Sequence, residues 1–158
     1  MRALIALTAL LGLAAPAAGA APPLTEPEVS KLMTTVEFAS RARDVARLGA
    51  TLSGDCRIEL TTRIAGQERV TLMTRDEYLE LLTNGYAALK DLQEYDYAVD
   101  AQQITLERDG SAATVVSRIT ETVVFGGQRQ VTHSEETARV ERRDGAPKVV
   151  AVSALTAP

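Results

Sequence analysis

The alternation of apolar and polar positions changes period several times along the chain, and each change marks an element. Thr25-Glu26-Pro27-Glu28 combines a threonine cap, a glutamate three residues later and a proline in the first turn, which is a helix start signal. Val29, Leu32, Met33 and Val36 then recur at helical spacing as one apolar stripe. A short second helix is expected from Arg41 to Leu48, with Ala42, Val45 and Ala46 inward, followed by a turn at Ser53-Gly54-Asp55. Cys56-Arg57-Ile58-Glu59-Leu60 alternates strictly and predicts a half-buried strand. After a turn around Gly66, Val70 and Leu72 begin a shorter one. Thr74-Arg75-Asp76-Glu77 repeats the capping pattern and opens the strongest helix, with Tyr78, Leu81, Leu82, Leu89 and Leu92 as its stripe and an end near Lys90 or Leu92.

From Tyr95 onward the period is two. Tyr95, Tyr97 and Val99 share one parity, Ile104 and Leu106 the other, so a β-bulge near Ala101–Gln103 must reset the phase and bend the strand. Asp109-Gly110, Gly126-Gly127 and Asp144-Gly145 suit tight hairpins and divide the tail into four antiparallel strands, roughly 94–108, 111–125, 128–142 and 147–154.

Two-residue loops at the first two turns pair Leu106 with Ala113, Ile104 with Val115, Ala113 with Val140, Val115 with Ala138 and Ile119 with Ser134. Both place the same apolar residues on one face, so the registers agree. The other face then sets Arg118 across from Glu135 and Thr120 across from His133, as suits a solvated surface. Toward the Gly126 end the inner face turns polar: Ser117 opposite Glu136, Ile119 opposite Ser134, Glu121 opposite Thr132. If a helix roofs this end, two carboxylates lie inside a concavity; if none does, they are solvated at the mouth of a sheet. An enclosed carboxyl without a partner has a raised pKa and becomes a candidate acid or base.

The opening residues add a compartment. Arg2 precedes the run of 13 residues from Ala3 to Ala15, and the small residues Ala18-Gly19-Ala20 follow, the tripartite pattern of an export signal cleaved near Ala20. A span needs roughly 20 apolar residues, so an anchor is disfavoured and no stable membrane span is expected. Residues 1–20 are thus read as a signal peptide, 21–158 as one domain, and the mature chain as periplasmic or secreted. The chain has 17 basic and 21 acidic residues, a formal charge of −4, and no basic block to mark nucleic-acid binding.

Individual reactive residues are few. Cys56 is the single cysteine, so no internal disulfide can form, and its alternation with Ile58 and Leu60 reads as a buried thiol. His133 is the single histidine and falls on the outer face; no His/Cys spacing supports a metal, and no cofactor is expected. The glycine pairs lack a following helix and are turns, not phosphate cradles. Tyr78 and Tyr86 sit on the strong helix, Tyr95 and Tyr97 at the start of the first long strand, where they fill core and rim.

Two helical segments, a short strand pair, one strong helix and a bent four-stranded meander together resemble the NTF2-like superfamily, in its SnoaL-like and ketosteroid-isomerase-like branches. The phrases carrying the resemblance are Asp44-Val45-Ala46-Arg47-Leu48 through Asp55-Cys56-Arg57-Ile58-Glu59-Leu60, and Thr137-Ala138-Arg139-Val140-Glu141-Arg142-Arg143-Asp144-Gly145 through Val149-Val150-Ala151-Val152-Ser153. The resemblance is one of pattern over the mature chain, and the cystatin-like arrangement is its nearest competitor. It implies an α+β cone in which N-terminal helices pack on a strongly curved antiparallel sheet and a pocket opens at one end. Members include isomerases, cyclases, dehydratases and proteins without catalysis, so fold does not decide function.

Steroid-isomerase chemistry needs a carboxylate base and a phenol or protonated acid facing the enolate oxygen. No Tyr/Asp pair of this sequence is assigned to those positions. The expected pocket is lined by Tyr78, Tyr95, Tyr97, Ser117, Ile119 and Ser134, with Glu121 and Glu136 as the candidate catalytic carboxylates. Three uses follow: a non-catalytic module for a small, partly apolar ligand, an isomerase or dehydratase with a pocket carboxylate as general base, and a homodimer through the sheet, as related folds pair.

Overall fold

Both predicted capping boxes close, and they set the two longer helices in place. Glu28 accepts from the Thr25 backbone N–H at 3.0 Å, and Glu77 from that of Thr74 at 2.8 Å. The computed structural model describes residues 21–64, 66–89 and 92–157, so the export signal expected over residues 1–20 lies outside the described residues. The elements are α1 (Glu26–Arg41), α2 (Val45–Thr51), β1 (Leu52–Ile64), β2 (Gln67–Thr74), α3 (Arg75–Ala88), β3 (Glu94–Leu106), β4 (Ala112–Phe125), β5 (Gln128–Arg143) and β6 (Ala146–Ala157).

Two expectations in the N-terminal half are corrected. Arg41 and Ala42 belong to the end of α1, and α2 starts only at Val45, because the Asp44 carboxylate accepts from Arg47 N–H at 2.9 Å and caps the helix there. Ala42 and Ala46 consequently face solvent, while Leu48 and Thr51 turn inward. Ser53-Gly54-Asp55 is not a free turn but an irregular stretch inside β1, where the register shifts between Leu52 and Arg57.

The six strands form one sheet in the order β2-β1-β6-β5-β4-β3. The four long strands make the expected antiparallel meander; β1 joins it through a parallel ladder with β6 and pairs antiparallel with β2. Every register deduced from the glycine turns holds: Leu106 faces Ala113, Ile104 faces Val115, Val140 faces Ala113, Ala138 faces Val115 and Ser134 faces Ile119. The phase reset falls between Val99 and Ala101, and a second irregularity lies between Arg139 and Val140. Such bulges bend strands, and here they curl the sheet around the helices.

The core fills the closed end of the cone. Val29 and Met33 of α1 meet Cys56, Ile58, Val115, Val140 and Val149 from the sheet, and Tyr78, Leu79 and Val152 pack against them. Burying one such aliphatic side chain contributes about 1.5–3 kcal/mol. The segment before α1 shuts this end: Leu24 N–H donates to the Gly110 carbonyl at 2.8 Å, and Arg142 donates to the carbonyls of Pro22 and Pro23 and to Glu28. Gly110 has φ +68, and a Cβ there would stand 2.5 Å from that of Pro23, so only glycine fits.

Helix α3 roofs the sheet with Tyr78, Leu79, Leu82 and Tyr86, each half-buried. Leu81, expected on this stripe, is 50% exposed. The inward arc centres on the i, i+4, i+8 series Tyr78, Leu82, Tyr86, and Leu81 falls beside it. Among the described residues, no helix is long and apolar enough to cross a membrane.

Candidate functional site

Above the apolar core, successive rungs of the inner face become polar. One rung holds Gln102, Ser117 and Glu136 on β3, β4 and β5, and Gln102 Nε2 donates to Ser117 Oγ at 3.2 Å. The next holds Val99, Ile119 and Ser134, and the one after it Tyr97, Glu121 and Thr132. Tyr95 stands opposite Val123 one rung further out. Ser117 and Ile119 are buried; Ser134, Glu121, Glu136 and all four tyrosines are half-buried, between the apolar core and solvent.

The polar groups form two stations. At the inner one, Tyr78 from α3 and Tyr97 from β3 gather about Glu136; burial first, and then the Glu136 charge, raises both phenol pKa values, so both remain neutral donors. At the outer one, Tyr86 and Tyr95 meet edge to face, centroids 6.4 Å apart, near Glu121. The Tyr95 hydroxyl donates to the Ser40 carbonyl at 3.5 Å, and the Arg43 guanidinium lies 5.3 Å above the Tyr95 ring.

Glu136 is the carboxyl that its surroundings bring into the neutral range. The residue still touches solvent, but burial of its carboxyl, reinforced by the negative charge of Glu121, pushes its pKa up from 4.5 to about 7. No cation among the described residues pairs with Glu121 or Glu136. Four residues separate Glu121 from the rung of Glu136, about 13 Å along a strand. Over that spacing the charge of Glu121 still reaches the Glu136 carboxyl.

All eight sequence-derived candidates lie on this inner surface: Glu121, Glu136, Tyr78, Tyr95, Tyr97, Ser117, Ile119 and Ser134. Tyr86, Gln102 and Arg43 join them. Tyr86 was findable from its spacing eight residues after Tyr78. Gln102 lies just past the bulge, where parity alone leaves the face ambiguous. Arg43 depends on its left-handed backbone (φ 54) between α1 and α2.

Two grooves open on the opposite face of the sheet. One, of about 780 Å³, runs past Arg57, Glu59, Leu72, Thr137 and Arg139. Arg139 there is paired with Glu107 and Glu141. The other, of about 580 Å³, holds Arg118, His133 and Glu135. Thr120 donates to Asp100 at 2.6 Å, so its single hydroxyl proton is used and His133 Nδ1, at 3.1 Å, is the donor in that contact. Cys56 is buried, and burial pushes its thiol up to about 11, which removes it as a nucleophile.

No protein-family model matches the sequence, and no curated protein is significantly similar to it. Solved structures do match its fold. An NTF2-like protein with a cystatin-like fold from Novosphingobium aromaticivorans superposes with a TM-score of 0.63 at 14% identity, covering 82% of this chain and 79% of the other. LinA gives 0.63 at 19% identity, with 82% and 84% covered. The hexachlorocyclohexane dehydrochlorinase LinA-type3 from Novosphingobium barchaimii gives 0.62 at 16% identity, again with 82% and 84% covered. The chain therefore has the NTF2-like, cystatin-like fold: an α+β cone of three helices on a curved, unclosed six-stranded sheet.

Proposed function

We propose that this chain is an exported small-ligand-binding protein that takes a small, partly apolar molecule into the mouth of its cone. The observation that carries the reading is the convergence of four tyrosines and two glutamates on one half-buried inner surface, with no ion pair to occupy either carboxylate among the described residues. Apolar walls with a few placed polar groups are the usual composition of a ligand site. Export rests on the pattern of residues 1–20.

Screening the mature chain against a fragment library by thermal shift, with hits mapped by NMR, tests this. Hits are expected to move the resonances of Tyr97 and Ser117 and to be lost in Tyr97→Ala. A chain that takes up no fragment, or takes them only in the outer grooves, defeats the reading.

A second reading has its own support. Glu136 is held near neutrality, where a group serves best as general acid or base, and Tyr78 and Tyr97 stand beside it as neutral donors for a developing oxyanion. That set suits proton abstraction next to a carbonyl, or elimination, and one structural neighbour is named a dehydrochlorinase. If the site is catalytic, Glu136→Gln lowers turnover on a panel of cyclic ketones and β-hydroxy ketones about 10²–10⁴-fold. An unmodified chain inert on the whole panel leaves binding as its use.

A further inference from the structure

Two carboxylates and four phenol rings make the mouth of the cone electron-rich, and none of the described cations closes on either carboxylate. Arg43 shows what these rings attract: its guanidinium lies over the face of Tyr95 at 5.3 Å, at the outer station. Further in, Tyr97 of β3 and Glu136 of β5 share the half-buried inner face that Tyr78 of α3 covers, and no cation among the described residues pairs with Glu136. We infer that the ligand of this pocket is an organic cation, an alkylammonium of about the size of choline, whose charged head settles beside Glu136 among Tyr78 and Tyr97. The inference rests on the cone mouth being the binding site and adds the charge of what it binds.

The physical argument is one of differences. An anion entering here meets two carboxylates. A neutral molecule gains only the burial of its apolar surface. A cation gains that burial, an attraction to the ring faces, which strengthens as water leaves, and relief of the repulsion between Glu121 and Glu136. The apolar rung above, Val99 with Ile119, accommodates the methyl groups of an alkylammonium better than a hydrated metal ion.

Binding is linked to protonation. The titratable and charged groups facing this space are Glu136 on β5, Glu121 on β4, Tyr78 and Tyr86 on α3, Tyr95 and Tyr97 on β3, and Arg43 between α1 and α2. The phenols stay neutral across the working range, so the proton that matters is on Glu136. A cation favours the ionised carboxylate, so uptake near or below neutrality releases a proton and affinity increases from pH 6 to pH 8.

Choline and 3,3-dimethyl-1-butanol have nearly the same shape and differ in charge, and their affinities for the mature chain can be compared by calorimetry. Choline is expected to bind at least tenfold more tightly at pH 8, to lose several-fold at pH 6 with proton uptake by the buffer, and to lose its advantage in Glu136→Gln. Tyr97→Leu should weaken choline more than the alcohol. Equal affinities, or preference for the alcohol, overturn the cation while leaving the pocket in place. If neither compound binds but fragments from the screen do, the cation again falls alone. Failure of every compound overturns both readings.

Discussion

Ile58→Ala is expected to lower the free energy of unfolding by about 2–5 kcal/mol. Ile58 is 1% exposed and sits where β1 lies between Met73 of β2 and Val152 of β6. Truncation removes three carbons from a site enclosed by the sheet on one side and the helices on the other, which cannot easily collapse. A small domain has about 5–15 kcal/mol in all, so the loss is a large fraction of it. Urea unfolding checks this through a lower midpoint at unchanged slope. Leu72→Ala is the control: Leu72 is on the outer face, 73% exposed, and its loss should stay within about 0.5 kcal/mol. If the two variants unfold alike, the inner face is not the core and the cone has been assigned inside out.

The hairpin half of this fold was legible because its information is local. A glycine pair fixes a turn, the turn fixes which residues stand opposite, and parity carries that choice along each strand. Glu121, Glu136, Ser117, Ile119 and Ser134 were placed on the inner face by this reasoning, and they lie there. Features set by distant contacts were less legible. The parallel ladder between β1 and β6 joins segments about 90 residues apart, and nothing in either one announces its partner. The start of α2 turned on which of several polar residues captured a backbone N–H, and Asp44 did. Leu81 shows a further limit: helical spacing places residues on a face, but the width of the arc depends on what the helix covers.

The same division runs through the site. Alternation placed the two glutamates but left open whether they were enclosed or wet. That choice belongs to α3, whose inward residues bring Tyr78 and Tyr86 over the polar rungs and take water from Glu136. An unusual carboxyl thus arises from three ordinary things: a strand with the right parity, a helix with a cap at Thr74, and a second carboxylate within electrostatic reach. The sequence contains all three, but their combined effect exists only in three dimensions.

Glu136→Gln should make the protein more stable at pH 8 and leave it nearly unchanged at pH 4. In the folded chain the Glu136 carboxyl keeps its proton up to about 7, whereas in the unfolded chain it loses it near 4.5. Between those values the unfolded state binds fewer protons than the folded one, so the contribution of this group to stability falls as pH rises. That contribution is complete below about 4.5 and gone above about 7. Glutamine keeps the shape of the protonated acid and never ionises, so it escapes the loss. At about 1.4 kcal/mol per pH unit, the gap between 4.5 and 7 amounts to on the order of 3 kcal/mol in favour of the variant at pH 8. Paired urea titrations of the two proteins from pH 4 to pH 8 measure it, and other titrating groups cancel in the difference. A difference that stays flat across this range would mean that Glu136 ionises as freely folded as unfolded. In that event the carboxyl is open to water, and neither a general base nor a charge waiting for a cation can be built on it. A difference that grows through neutrality would show the chain giving up stability to keep a lone ionisable group in its interior, the kind of cost that a functional site carries.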